Sequence, residues 1–191
     1  MKKILLGLVT ISIIIISCKK EKKVTDIMPL NLGNYWNYQR LVVEDGDTTL
    51  SDTFKMEVNT QNKDTFYLIG SLFTFEELPE KPEEESMKVI FYDSLLFTYT
   101  DDEPDTQLVL PLKEGKSWKV NEEFTAEVIS IEGVNIGDKQ YSDCWRIKYQ
   151  NEDGDIQKEL WFKEEIGIVK FRKEEDGEIT ILELKEYNLN R

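Results

Sequence analysis

The sequence predicts an all-β protein, an antiparallel meander of about 10–12 strands forming a strongly curved sheet, a half-open barrel or a sandwich. Three observations carry this. Apolar residues alternate with polar ones over short runs, as in Phe54, Met56 and Val58; Leu95, Phe97 and Tyr99; Phe124, Ala126 and Val128; and Trp145, Ile147 and Tyr149. That period of two marks strands with one buried face. Asp45-Gly46, Asp153-Gly154 and Asp176-Gly177 each separate two such runs, and Asp-Gly favours two-residue hairpin turns because both positions accept positive φ. After the N-terminal segment, no stretch shows the period of a long amphipathic helix.

Taken in order, the chain begins with a basic start (Lys2, Lys3), an apolar run from Ile4 to about Ile16, and Ser17 before Cys18. This pattern is a secretory signal peptide. The run meets Lys19 and Lys20 well before the roughly 20 apolar residues that a spanning helix needs. Its end, Ile15-Ile16-Ser17-Cys18, resembles the lipobox of bacterial lipoproteins, in which the Cys is acylated and the bond before it is cut. The resemblance implies a signal peptide over 1–17, lipidation at Cys18, a tether over 18–28 and a bacterial cell-envelope protein held to a membrane without crossing it. The plain alternative is an ordinary signal peptide with a chance cysteine.

Composition narrows the partners. Losing Lys2 and Lys3 with the signal takes the formal charge from -14 to -16, and residues 24–191 hold 18 basic against 37 acidic side chains. A body this acidic repels nucleic acid, while Lys19, Lys20, Lys22 and Lys23 favour anionic head groups beside the anchor. The remaining length suits a single β domain over 29–191. With Cys18 acylated, Cys144 has no disulfide partner; beside Trp145 in a strand-like run it reads as core filler.

Pro29-Leu30-Asn31-Leu32-Gly33-Asn34-Tyr35-Trp36 leads into a first strand through Val43. Proline sets an extended approach, Gly33 permits a turn, and Trp36 and Tyr38 share a face. The pattern returns 82 residues later as Pro111-Leu112-Lys113-Glu114-Gly115-Lys116-Ser117-Trp118, suggesting pseudo-repeat halves near 29–105 and 106–191. The expected role is structural, Pro-Leu crossing a sheet end and Trp plugging it, with ligand binding as the alternative. Runs near 140–150, 156–163, 167–173 and 179–187 form a final four-stranded meander. The stretch Glu76 to Ser86, with two prolines and six glutamates, reads as a solvated loop or a boundary between halves.

Little of the sequence carries chemistry. Without histidine, Ser-His-Asp and Cys-His catalysis and histidine zinc sites are excluded. The acidic turns Glu44–Asp47, Asp101–Asp105 and Asn151–Asp155 offer oxygen ligands but lack the EF-hand spacing, so they read as hairpin tips and no metal or cofactor is expected. A carbohydrate hydrolase using paired carboxylates stays open as the enzyme alternative, although nothing in the sequence selects a pair.

The aromatics are the remaining lead. Trp36, Tyr38, Trp118, Trp145 and Trp161 are candidates either to face a ligand or to fill the core. The adjacent pairs Tyr35-Trp36 and Trp161-Phe162 put a ring on each face of a strand, so something besides one core must cover the second ring. Pro-Leu-x-x-Gly-x-x-Trp-x-Tyr at 29–38 and Leu160-Trp161-Phe162-Lys163-Glu164-Glu165-Ile166-Gly167-Ile168-Val169-Lys170 together resemble uncharacterised envelope lipoproteins, some of them like the half-open barrels of lipoprotein carriers. The expectation is a non-catalytic envelope protein binding a hydrophobic ligand or envelope component on a concave aromatic face. A scaffold gripping another envelope protein by a strand edge is the alternative.

Overall fold

A computed structural model of the protein describes residues 27–75, 78, 86–100 and 103–190. The signal segment, Cys18, the tether up to residue 26 and most of the Glu76 to Ser86 stretch lie outside the described residues.

The sheet is a meander that returns on itself. Its strands are β1 (Tyr35–Glu44), β2 (Asp47–Asn62), β3 (Thr65–Ile69), β4 (Ser86–Tyr92), β5 (Leu95–Thr100), β6 (Glu103–Val109), β7 (Ser117–Lys119), β8 (Phe124–Ile136), β9 (Lys139–Asn151), β10 (Ile156–Lys163), β11 (Gly167–Glu175) and β12 (Glu178–Asn188). All twelve belong to one sheet in the order β6-β5-β4-β3-β2-β1-β12-β11-β10-β9-β8-β7. Neighbouring strands pair antiparallel, and β1 pairs along its whole length with β12. Among the described residues, β6 and β7 are the two consecutive strands without a ladder between them. The result is a nearly closed barrel with one unsealed seam, so the sandwich alternative falls.

The pleat decides what fills it. Trp36, Tyr38, Arg40 and Val42 alternate inward along β1, as do Phe54, Met56 and Val58 on β2. Ile147 and Tyr149 on β9 and Phe171 on β11 add to the same core. Alternation of this kind turns one face of each strand into the filling of the bore.

Two of the three Asp-Gly turns match the sequence expectation. Asp45 and Gly46 take φ of 50° and 87°, and Asp176 and Gly177 take 50° and 86°, each pair closing a two-residue hairpin. Asp153-Gly154 does not. It sits inside a four-residue connection from β9 to β10, where only Gly154 has positive φ. Asn151 decides the difference: its Oδ1 accepts from the Asp155 amide at 2.8 Å and its Nδ2 reaches the Asp155 carboxylate at 3.3 Å. An asparagine bonding its own loop favours a longer, side-chain-braced turn.

The repeated motif folds the same way twice. The Gly33 amide donates to the Val58 carbonyl at 2.9 Å and the Gly115 amide to the Val128 carbonyl at 2.8 Å. Asn34 N bonds Asn31 O and Lys116 N bonds Lys113 O; Val58 N bonds Asn34 O and Val128 N bonds Lys116 O, all four at 2.9 Å. Both glycines hold positive φ, 82° and 75°, which is why glycine stands there. Each copy thus brackets its chain onto the following long strand, β2 or β8.

Candidate functional site

The bore contains a segment that belongs to no strand. After β3 the chain continues through Ser71, Leu72, Phe73, Thr74 and Phe75, with Leu72 and Phe73 buried. Phe73 stacks on Phe162 at 6.3 Å between ring centroids, and Phe75 stacks on Phe124 at 4.1 Å and meets the Tyr149 ring edge-on at 6.0 Å. The segment therefore climbs from the β10/β11 turn end towards the opposite mouth, where β8 begins and β9 ends. Small barrels normally fill their bore with side chains from their own strands. Here an inserted piece of chain shares that task.

Two lysines hold it. The Lys158 ammonium, fully buried on β10, donates to the carbonyls of Phe73 at 2.6 Å and Thr74 at 2.8 Å. The rings of Phe75 and Tyr149 lie 3.8 and 4.9 Å from it. Burial pushes Lys158 well below the ordinary lysine range; Asp105 draws it back up and Lys173 presses it further down. Lys173, paired with Glu175 at 2.5 Å, lies 3.4 Å from the Phe75 carbonyl. A cavity of about 550 Å³ opens beside it at that mouth, lined by Arg40, Thr49, Leu78 and Glu175 among others.

Immediately in front of the segment is the seam. Its β6 side offers carbonyls with no strand to pair them, and side chains take that place. The Trp118 indole donates to Thr106 O at 3.0 Å, the Tyr149 hydroxyl to Gln107 O at 3.0 Å, and Lys116 Nζ to Val109 O at 2.8 Å. One backbone bond, Thr106 N to Val120 O at 2.9 Å, crosses the gap, and Asn121 bonds Asp105 at 2.9 Å. Glu103, Asp105, Lys119 and Asn121 line a polar surface groove of about 440 Å³ at its end. The fully buried Gln107 donates to Thr98 at 2.9 Å while its Oε1 has no partner among the described residues. The β6 edge carbonyls of Thr106, Gln107 and Val109 are thus all engaged.

The five sequence-selected aromatics occupy different places. Trp36 is fully buried, its indole donating to Ile166 O at 2.5 Å, and Tyr38, also buried, donates to Ile168 O at 2.9 Å. Two motifs 130 residues apart therefore meet, and Gly167 between those carbonyls is obligatory: its φ is 100° and a Cβ would come within 2.7 Å of Met28 Sδ. Trp118 braces the seam. Trp145 is half-buried on β9 opposite Phe162. Trp161 lies between Arg146 and Lys170, 5.3 and 5.5 Å from its ring, and its indole donates to Glu132 at 2.7 Å. That indole bond, joined by one from Ser130, holds the Glu132 carboxyl below its usual range.

Cationic stems are thus what cover the outer rings. Lys55 lies 5.2 Å from the Tyr35 ring as Arg146 and Lys170 do at Trp161, burying aliphatic carbon against an aromatic face while the charge meets water or an acid. Around Trp161 the acids are Glu159, bonded by Arg146 at 2.6 Å and 3.9 Å from Arg172, and Glu183, 3.9 Å from Lys170. Cys144 is buried, and desolvation pushes its thiol up to about 11, away from reactivity. Among the described residues, no three His, Cys, Asp or Glu side chains gather as a metal site.

Sequence reasoning missed Lys158, Lys173 and the 71–75 segment. Lys158 reads as one more polar residue of an alternating strand, and Phe73 and Phe75 as two among many aromatics that could fill the core or line a pocket.

No protein-family model and no curated protein matches the sequence. Among solved structures, the fold is similar to a LolA-superfamily protein from Nitrosomonas europaea, at 11% identity and a TM-score of 0.34 over 87% of this chain and 90% of that one. It is also similar to a "putative lipoprotein" from Parabacteroides distasonis, at 9% identity and a TM-score of 0.43 over 83% of this chain and 96% of that one.

Proposed function

We propose that the protein is a lipid-anchored, non-catalytic component of the bacterial envelope whose barrel binds a hydrophobic ligand in exchange for residues 71–75. The carrying observation is the inserted segment: a stretch outside the ladder fills the bore directly behind the unladdered seam. Displacing it removes Leu72, Phe73 and Phe75 from the interior, and an acyl chain or similar ligand restores the lost apolar burial at about 25 cal/mol per Å². A strand, by contrast, gives up its whole ladder when it leaves. The lipobox-like Ile15-Ile16-Ser17-Cys18 supports a position at a membrane, where such ligands are abundant.

The test uses the full chain extracted from membranes. Mass spectrometry is expected to find Cys18 acylated at a new N-terminus and a co-purifying lipid, with saturable binding of a fluorescent fatty acid. Phe75→Ala, which removes the stack on Phe124, is expected to strengthen that binding. Absence of both bound lipid and saturable binding in the native protein and in Phe75→Ala overturns the ligand reading. An unprocessed, unacylated Cys18 overturns the anchor.

A further inference from the structure

The way the segment is held specifies what can replace it. Three successive carbonyls, of Phe73, Thr74 and Phe75, meet two lysines of neighbouring strands. Leu72 and Phe73 supply hydrocarbon below them. A purely apolar ligand would restore the hydrocarbon but not the acceptors, leaving Lys158 deep in the bore without the two oxygens it now bonds. An unmatched buried donor opposes such an exchange, most strongly when the donor is a cation.

We infer that the ligand is an anionic amphiphile. Its carboxylate or phosphate oxygens take the positions of the Phe73 and Thr74 carbonyls on Lys158, with Lys173 as the second cation, and its tail takes the space of Leu72 and Phe73. The inference rests on the exchange reading above and names the headgroup class for the same site. Lys173 also lines the 550 Å³ cavity at the open mouth, so a headgroup lodged between the two lysines lies next to an opening while the tail points into the barrel. An anion at that point gives Lys158 a charged acceptor, adding to the attraction of Asp105 on β6 and opposing the repulsion of Lys173 on β11 and the desolvation of burial.

Calorimetric titration of the full chain in a nonionic detergent tests this with oleate, a dodecyl phosphate and methyl oleate. The anionic ligands are expected to bind at least about tenfold more tightly than the ester, as a hydrogen bond to a charged group warrants. The preferred anion separates a carboxylate source from a phosphate source. Lys158→Met is expected to lose that margin, so that oleate and methyl oleate bind it alike. Equal affinity for oleate and methyl oleate in the native protein overturns the inference without needing any variant. So does a Lys158→Met protein that keeps the anionic preference. Failure of every amphiphile, charged and neutral, in both the native protein and Phe75→Ala overturns the exchange reading instead.

Discussion

At Pro29 to Trp36 and again at Pro111 to Trp118 the chain joins its sheet through the same bracket of backbone bonds, with the same positive-φ glycine and the same indole-to-carbonyl cap. Beyond the tryptophans the two copies diverge. After Trp36, β1 runs to Glu44 and pairs with β12 from Tyr35 to Glu44; after Trp118, β7 stops at Lys119 and forms no ladder with β6. The residues that follow the motif decide this. Tyr38, Arg40 and Val42 continue the inward alternation, whereas Asn121 turns the chain by accepting the amides of Glu123 and Phe124 at 3.0 and 2.9 Å. A shared lead-in motif fixes how a strand begins, and the side chains after it fix whether the junction is laddered or braced.

The sharpest way to break the comparison is to truncate the two tryptophans. Trp36→Ala empties a fully buried site and orphans the Ile166 carbonyl, so a loss of about 3–5 kcal/mol is expected. Trp118→Ala acts on a half-buried ring at the seam and is expected to cost about 1–2 kcal/mol. Urea unfolding of both variants measures the difference, and equal losses would mean that the seam is as integral as the ladder.

Tyrosine hydroxyls sharpen it further. Tyr38→Phe and Tyr149→Phe each remove one buried bond worth about 1 kcal/mol, but the Tyr149 bond crosses the seam. Hydrogen exchange is expected to accelerate at β6 amides in Tyr149→Phe and to leave them unchanged in Tyr38→Phe, because laddered strands open only with larger units. Faster β6 exchange in both variants would remove the distinction.

The smallest difference between the two copies is at the glycines. Gly33→Ala and Gly115→Ala each force an L-residue into positive φ at about 1–2 kcal/mol. Gly33 costs slightly more, since its Cβ would meet Asn190 Nδ2 at 3.3 Å while Gly115 faces open space. Thermal melts of the pair resolve the order, and a larger loss at Gly115 would contradict the bracket geometry.

Local patterns are what the sequence by itself determined. Alternation placed the final meander almost residue for residue, because one inward face per strand forces period two, and Asp-Gly marked two hairpins, because the dipeptide tolerates the required φ. The Pro-Leu-x-x-Gly-x-x-Trp repeat was legible as a paired structural device for the same reason: its bonds are short in sequence or reach only the next long strand. Long-range placement was decided by the tertiary structure alone. That β12 seals against β1, that Trp36 and Tyr38 cap Ile166 and Ile168, and that Phe73 and Phe75 stand inside the bore on Lys158 all depend on residues between 83 and 153 positions apart. No local period encodes such contacts; they follow from closing the sheet, which brings a lysine of one strand beneath the carbonyls of a distant loop.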